Sequence, residues 1–394
     1  MFKITTHIQK VVTGVLLGAL LFPQVGFAAM PLSDERIRGI IQDGVLWLKN
    51  AQEKNGHFRY EYVPYEDVYQ ADDNIVRQAG AFFQLGEIER FDEGEVYDLE
   101  KTLRTSLEYF AARSVEGSFE GQKFRCVKAD KEFSCKLGTT ALVAVGLMSF
   151  LEEYPRYRAT YEELLEDYVS YMRAMKKEKA GFRYYYYPSR KSQKDIESSF
   201  SNGEAFFALV RYGLYAPRDT QSTVIDETFT YLKDETPFDA PLYLWVMAGL
   251  KDAHAASPRS EYVTYAERYT EWRLADNARY RASSKNRCPY IEGLASAESI
   301  LQDSENVVLR TQVRSTLEDM LTETSWLQIK KENVYRAVVD STGIHIKKLA
   351  NLERAEGGFL TGFGADDLTE RIDYTQHCLS AYAQTLVDVR GGAL

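Results

Sequence analysis

Hydrophobic residues recur at helical spacing along most of the chain. In residues 33–52, isoleucine, valine and leucine repeat behind Ser33, a residue type that caps helices, and two acidic residues follow it. Residues 55–74 alternate aromatic with polar side chains, whereas residues 74–91 are helical again but apolar on nearly every side. The pattern therefore predicts an amphipathic helix, an aromatic connector and an apolar helix, in that order.

The same triple occurs twice more, in residues 161–215 and in residues 344–389. In the last copy, residues 344–356 are the predicted amphipathic helix. The three connectors carry similar short motifs: Gly56-His57-Phe58, Gly181-Phe182 and Gly358-Phe359. Weaker copies, in which an amphipathic segment precedes an apolar one, pair residues 99–113 with 138–154, 224–234 with 238–253, and 264–276 with 288–303.

About six such pairs explain how the apolar helices are buried. A helix that is apolar on all sides must lie inside the protein, and all of these helices are buried if the pairs close into a ring. An open solenoid is the alternative, but it needs polar repeats at its ends, and the C-terminal copy is as apolar as the first. We therefore predict an all-α fold, a single (α/α)6 toroid of helical hairpins with aromatic-rich connectors, over residues 29–394.

Helix pairs joined by aromatic connectors resemble the α/α-toroid families. These are the six-hairpin glycosidases, with related lyases and sugar epimerases, and the terpenoid cyclase and protein prenyltransferase group. The resemblance is one of architecture and covers most of the chain. It implies an active site in the central cavity, at the end of the ring where the inner helices begin.

Residues 1–28 have the layout of a secretory signal peptide: two lysines and no acid, then an apolar run, then Gly26-Phe27-Ala28 as a cleavage site. The apolar run is short for a membrane anchor, and no later stretch is long enough to cross a membrane. We therefore expect a periplasmic or secreted protein without a membrane span in the mature chain. The net charge of −10 argues against nucleic acid as a partner.

Four cysteines in an exported chain indicate two disulfides. Cys126 and Cys135 are nine residues apart in a polar stretch, which favours the pairs Cys126–Cys135 and Cys288–Cys378. The alternative is a zinc site formed by Cys288, His377 and Cys378, because a cysteine and a His-Cys pair at the starts of two inner helices resemble the zinc ligands of lanthionine cyclases and protein prenyltransferases. We expect no cofactor, with zinc as the alternative.

Polar residues at the starts of the apolar helices are the candidates for the cavity. The motifs Asn74-x-x-Arg77-Gln78 and Asp373-x-x-Gln376-His377 each place three polar groups on one helical face. Helix capping and favourable acids at a helix start explain the aspartates, but not Arg77 or His377. The candidates are Asp73, Glu204, Glu292, Asp373 and His377 as catalytic residues, and Asn74, Arg77, Gln78, Tyr60, Tyr185 and Gln376 as substrate-binding residues.

This set of groups favours a carbohydrate-active protein that acts on a glycan or a cell-envelope polysaccharide. Glycoside cleavage needs two carboxyl groups, whereas a lyase or an epimerase needs an acid and a base; tyrosines on the connectors can stack on sugars. A non-enzymatic module that binds a glycan or envelope polymer needs the same cavity, so both alternatives stay open, as does a thiolate-zinc enzyme. The chain has no glycine-rich phosphate loop, no Gly-x-Ser-x-Gly motif and no His-Glu-x-x-His motif.

Overall fold

The computed structural model describes residues 31–92, 96–178, 181–217, 219–275, 285–340 and 343–394. The predicted signal peptide, residues 1–28, lies outside the described residues. Residues Leu32–Leu394 form one structural unit. None of the helices described is both long enough and apolar enough to cross a bilayer.

Twelve long helices in the described part of the chain form six pairs. The pairs are α1 (Asp34–Ala51) with α2 (Ile75–Phe91), α3 (Glu100–Ala111) with α4 (Leu137–Glu153), α5 (Arg158–Met175) with α6 (Ser199–Tyr215), α7 (Asp219–Asp234) with α8 (Ala240–Ala256), α9 (Ser260–Ala275) with α10 (Cys288–Leu301), and α11 (Val307–Thr324) with α12 (Ile372–Gln384). The even-numbered helices are the apolar members that were predicted to lie inside.

The even-numbered helices form a closed inner ring. Each packs against the next even-numbered helix, and α12 packs against α2. Helix α4 shows why these helices are inside, because all residues from Leu137 to Leu151 are buried and none of them is charged. The outer helices are amphipathic, as in α1, where Ser33 accepts a hydrogen bond from the backbone N–H of Arg36 at 3.2 Å. The predicted (α/α)6 toroid is therefore confirmed, and an open solenoid is excluded.

The aromatic connectors form short antiparallel sheets at the end of the ring where the inner helices begin. The strands are β1 (Glu61–Val63), β2 (Val68–Tyr69), β3 (Ser114–Phe119), β4 (Gln122–Val127), β5 (Cys135–Lys136), β6 (Tyr185–Tyr187), β7 (Ser192–Lys194), β8 (Tyr335–Asp340), β9 (Gly343–Lys348) and β10 (Glu370–Arg371). Strand β1 pairs with both β2 and β10, and β6 pairs with both β5 and β7. These two three-stranded sheets therefore link connectors that belong to different helix pairs.

The three Gly-Phe connectors are anchored in the same way. Each phenylalanine forms an antiparallel bridge with a residue near the end of an outer helix, and its backbone N–H donates to a polar side chain of an inner helix. The donor and acceptor pairs are Phe58 with Gln78 at 2.8 Å, Phe182 with Asn202 at 2.9 Å, and Phe359 with Thr375 at 3.1 Å. The internal repeat is therefore present in the hydrogen bonds as well as in the helix order.

The prediction of an outer helix over residues 344–356 is wrong. The sixth outer helix is α11, and residues 343–348 form β9, which pairs with β8. Ile344 and Ile346 alternate with polar residues and are 73% and 67% exposed, whereas the apolar face of an outer helix would be buried. A single helical turn, Leu352–Ala355, follows.

The structure has the two disulfides Cys126–Cys135 and Cys288–Cys378, the same pairs that the spacing favoured. The first joins β4 to β5, and the second joins α10 to α12. His254, on the inner helix α8, is buried, and its Nε2 lies 2.8 Å from a carboxylate oxygen of Asp303.

The two ends of the described unit lie side by side. The guanidinium of Arg390 donates to the backbone oxygen of Leu32 at 2.8 Å and to a carboxylate oxygen of Asp34 at 2.7 Å. Arg38 Nε donates to the backbone oxygen of Ala393 at 2.8 Å. The last residues of the unit therefore hold the first outer helix in place.

Candidate functional site

A pocket opens where the inner helices begin. First-turn residues of five inner helices line it: Arg77 from α2, Phe200 from α6, Pro241 from α8, Pro289 from α10 and Asp373 from α12. The cavity volume is about 220 Å³, somewhat below the range of drug-sized ligand sites, about 300–1,000 Å³. The convergence of helix starts places this pocket on the axis of the ring.

Asp373 and two arginines form an ion cluster on one wall. Arg371 binds both carboxylate oxygens of Asp373, through Nε at 3.0 Å and Nη2 at 2.6 Å. Arg77 Nε lies 3.3 Å from the second of these oxygens. The Arg371 guanidinium also lies over the ring of Tyr60, 5.1 Å from its centre. One buried carboxylate thus orients two guanidinium groups at the pocket wall.

His377 and Glu292 form a second pair, which spans α12 and α10. His377 lines the pocket, and its Nδ1 lies 2.7 Å from Glu292 Oε2, with both side chains buried. Gln376, which also lines the pocket, places its Nε2 3.3 Å from the same Nδ1. A carboxylate bonded to one nitrogen of an imidazole fixes the orientation of the ring. This is the arrangement of a general base or acid.

Glu204 lies in the pocket wall on α6 and is buried. Burial raises the pKa of Glu204 to about 7, although the Arg77 guanidinium and a hydrogen bond with Ser201 act in the opposite direction. Its Oε2 lies against Gly138 in the first turn of α4, where a Cβ would approach it to 1.7 Å. A carboxyl group with a pKa near neutral is able both to donate and to accept a proton at neutral pH.

Aromatic side chains cover the apolar part of the pocket. Trp245 and the half-exposed Phe200 line it, and the Trp245 ring lies 6.3 Å from the His377 ring. Tyr290 lies at the start of α10, with the buried Arg273 guanidinium of the outer helix α9 positioned 4.3 Å from the centre of its ring. Flat apolar faces beside polar groups suit a ring that is polar at its edge and apolar on its faces, as sugars are.

Solved structures of sugar-active enzymes have a similar fold. A sugar epimerase from a ruminal bacterium has a TM-score of 0.61 at 11% identity, over 92% of this chain and 100% of that chain. A D-mannose isomerase has 0.58 at 12% identity, over 92% and 99%. An inactive variant of an α-1,6-mannanase from Salegentibacter, in complex with α-1,6-mannotetrose, has 0.57 at 12% identity, over 89% and 99%. The chain has the six-hairpin toroid fold of these proteins. No family model and no curated protein matches the sequence.

Within this six-hairpin toroid, the predicted residues divide into two groups. Arg77, Glu204, Asp373, Gln376 and His377 line the pocket, with Glu292 directly behind His377. The other candidates do not line it. They are Asp73, Asn74, Gln78, Tyr60 and Tyr185.

Three residues of the second group, Asp73, Asn74 and Gln78, form hydrogen bonds at the junction of the first connector with α2. Asn74 caps α2, and Gln78 is buried with its amide bonded to the backbone of Phe58. Asp73 accepts a hydrogen bond from Gln78 at 2.9 Å and lies 3.2 Å from His57 Nε2. These contacts explain why a polar stripe at the start of α2 faces the connector except at Arg77.

Two tyrosines of this group have other surroundings. Burial raises the pKa of Tyr60 to about 12, and its ring lies against the Arg371 guanidinium. Tyr185 lies on β6, half-buried, with its ring 4.1 Å from that of Tyr184. Tyr60 therefore contacts a residue of the pocket wall without lining the pocket itself, and Tyr185 lies on the connector strand β6.

The pocket residues that sequence reasoning did not propose include Phe200, Trp245, Arg273 and Tyr374. Trp245 lies inside an apolar helix, where a tryptophan is ordinary. Arg273 comes from the outer helix α9. The one signal for its place in the pocket is that it lies on the apolar, buried side of that helix.

The alternative zinc site does not fit the structure. The sulfur atoms of Cys288 and Cys378 are bonded to each other, so neither is available as a thiolate ligand. His377 Nδ1 contacts Glu292. Within the described ranges, no three or more histidine, cysteine, aspartate or glutamate side chains form a group that could hold a metal ion.

Proposed function

We propose that the protein is an enzyme that transfers a proton to or from a carbon atom of a sugar, as an epimerase, an isomerase or a lyase does. The observation that carries this proposal is the contact between His377 and Glu292 at the wall of the axial pocket. In this proposal His377 is the catalytic base, and Glu292 is a positioning residue that orients it. Proton transfer by a positioned side chain contributes about 10²–10⁴-fold to the rate.

Glu204 is the proposed partner of His377. Its pKa of about 7 makes it a proton donor or acceptor at neutral pH, and it lines the same pocket. The similar folds of a sugar epimerase and a D-mannose isomerase support sugar as the ligand class. The apolar faces of Trp245 and Phe200 support it further.

Hydrolysis is the second candidate, because a mannanase also shares the fold. A glycosidase needs two carboxyl groups that flank the bond to be cleaved. Asp373 contacts arginine through both of its oxygens, and Glu292 contacts His377. Glu204 is then the one carboxyl group of the pocket wall without an arginine or histidine bonded to it, among the described residues. We therefore favour proton transfer.

The test is incubation of the protein with a panel of sugars in D₂O, followed by NMR. Epimerases and isomerases introduce deuterium at a sugar carbon, and a lyase forms an unsaturated product. His377→Asn should lower turnover by about 10²–10⁴-fold, and Glu292→Gln should lower kcat more than it changes KM. His345→Asn, at an exposed histidine of β9, is the matched control and should leave turnover unchanged.

Other outcomes of this experiment contradict the proposal. New reducing ends without carbon-bound deuterium would make the protein a hydrolase. Sugar binding without turnover would make it a glycan-binding module. We also propose that the protein is exported, on the basis of the predicted signal peptide and of the two disulfides.

A further inference from the structure

The ion cluster of the pocket has an excess of positive charge. Arg77 and Arg371 share one carboxylate, that of Asp373. Arg371 is bonded to it through two nitrogens, whereas Arg77 lies near it through Nε alone. Among the described residues, the terminal nitrogens Nη1 and Nη2 of Arg77 have no hydrogen-bond or ion-pair partner, although Glu204 is close enough to interact electrostatically with the guanidinium. The side chain of Arg77 is 36% exposed and lines the pocket.

In the rest of the pocket, the positive groups are opposed by the Glu204 carboxyl group, which is only partly ionised at neutral pH because burial raises its pKa to about 7. The guanidinium of Arg273 lines the pocket as well, and five inner helices begin there, each with a partial positive charge at its first turn. Arg77 itself lies in the first turn of α2, where a cation is unfavourable. A local positive region in a protein of net charge −10 is selective, because the remaining surface repels anions.

We infer that the pocket binds a sugar that carries a carboxylate, a uronate, and that the terminal nitrogens of Arg77 bind this group. The inference rests on the proposed function in taking a sugar as the ligand. A guanidinium binds a carboxylate through two parallel hydrogen bonds, and Asp373 holds Nε so that the terminal nitrogens stay free for the ligand. Asp373 is in this way a positioning residue for Arg77.

In the free protein, the guanidinium groups of Arg77 and Arg371 share the carboxylate of Asp373. When a ligand carboxylate binds to Arg77, each guanidinium has a carboxylate partner of its own. Phosphorylated sugars offer the same kind of acceptor. The planar fork of Arg77, already oriented by Asp373, matches the two coplanar oxygens of a carboxylate. We therefore assign the carboxylate as the ligand group and leave the phosphate as an outcome of the test.

The test is isothermal titration calorimetry with sugars that differ only at C6. Glucuronate, galacturonate and mannuronate, free and as short oligomers, are each compared with the neutral hexose and with its 6-phosphate. At least one uronate should bind about tenfold or more tightly than its neutral counterpart. Arg77→Gln should remove this difference in affinity between the uronate and its neutral counterpart, and Arg77→Lys should retain part of it.

Arg104→Gln is the matched control, since Arg104 on α3 is 38% exposed and pairs with Glu108 away from the pocket. Its affinities should equal those of the wild type. Neutral sugars that bind as tightly as uronates would overturn the inference and leave the proposed function standing. Tighter binding of the 6-phosphates would replace the carboxylate by a phosphate. Failure of every sugar to bind would overturn both.

Discussion

At the scale of single residues, the space around Glu204 is as important as its charge. Its carboxyl group fills the place that a side chain at position 138 would occupy. Gly138 therefore makes room for an acid in the wall of the pocket. The result is a buried carboxyl group that sits against the start of α4, where an acid with a raised pKa has the helix N-terminus as its neighbour.

Gly138→Ala should destabilise the protein by about 1–3 kcal/mol, because the new Cβ overpacks the site next to Glu204. Gly39→Ala is the control, since nothing lies within 4 Å of a Cβ at this position of α1. That change should stabilise the protein by about 0.5–1 kcal/mol. Urea unfolding measures both, and Glu204→Asp, which withdraws the carboxyl group, should restore part of the stability in the Gly138→Ala background. Equal effects at the two glycines would contradict this account.

The pKa of Glu204 also predicts how stability depends on pH. Burial raises this pKa to about 7 in the folded protein, against about 4.5 for an exposed glutamate. Between these values the folded protein holds a proton that the unfolded chain has released, so stability falls as pH rises, by up to about 3 kcal/mol. Glu370, whose pKa burial raises as well, acts in the same direction. Glu87 acts in the opposite direction, because Arg211 and Arg90 lower its pKa to about 2 in spite of its burial. The stability that ionised Glu87 contributes is lost only as pH falls below about 4.5.

Glu204→Gln should remove the part of this dependence that belongs to Glu204. In thermal unfolding at about pH 5, the variant and the wild type should have similar Tm values. At about pH 8, the variant should have the higher Tm, because it has no buried carboxylate at this position. Glu305→Gln, at an exposed position, should follow the wild type at both. A variant that loses stability with pH as steeply as the wild type would assign the titration to other groups.

Part of the pocket could be predicted at this scale. Arg77, Asp373 and His377 are polar residues at the start of helices that are otherwise apolar, and burial between helices does not explain them. Asn74 and Gln78 have the same signal but bind the backbone. A sequence gives no sign of whether an amide at a helix start meets a cavity or a neighbouring N–H.

At the scale of elements, the repeat of helix, aromatic connector and helix could be predicted because hydrophobic residues recur at helical spacing in the helices, whereas aromatic and polar residues alternate in the connectors. The sixth outer helix was missed because α11 starts with the exposed Val307 and Val308, which weaken its amphipathic pattern. Its place in the prediction was taken by β9, whose Ile344 and Ile346 alternate as in a strand. The hydrophobic period of so short a segment does not separate the two structures.

The disulfide Cys288–Cys378 connects the two helices that carry Glu292 and His377. The two cysteines are 90 residues apart, against 9 for Cys126 and Cys135. Chain entropy then predicts a loss of about 4–5 kcal/mol for Cys288→Ser with Cys378→Ser, and about 2–3 kcal/mol for the other pair. Denaturant unfolding measures both.

The same variants test the position of the proposed base. Turnover by the protein without Cys288–Cys378 should fall even under conditions where it remains folded, because α10 is no longer tied to α12. The variant without Cys126–Cys135 should keep its turnover. Equal loss of turnover in both variants would show that the disulfides act through stability alone.

At the scale of the whole molecule, the toroid could be predicted because few folds bury six helices that are apolar on every side. The pocket follows from the ring, since first turns of five inner helices meet on its axis. What the ring does chemically depends on a few side chains from helices far apart in the sequence. Their distances are fixed by packing, so they could not be read from spacing along the chain.

The hydrogen bonds of Arg390 and Arg38 hold the two ends of the described unit close together. We therefore expect the same ring to form when the chain starts at a different hairpin. A circular permutant that starts at Pro258, ends at Ser257, and joins Ala393 to Leu32 through a short glycine-serine linker keeps all six helix pairs intact. The new ends fall in an exposed turn between α8 and α9, where such cuts are tolerated. Its circular dichroism spectrum and its affinity for sugars should match those of the parent protein, because the ring and its axial pocket do not depend on where the chain begins.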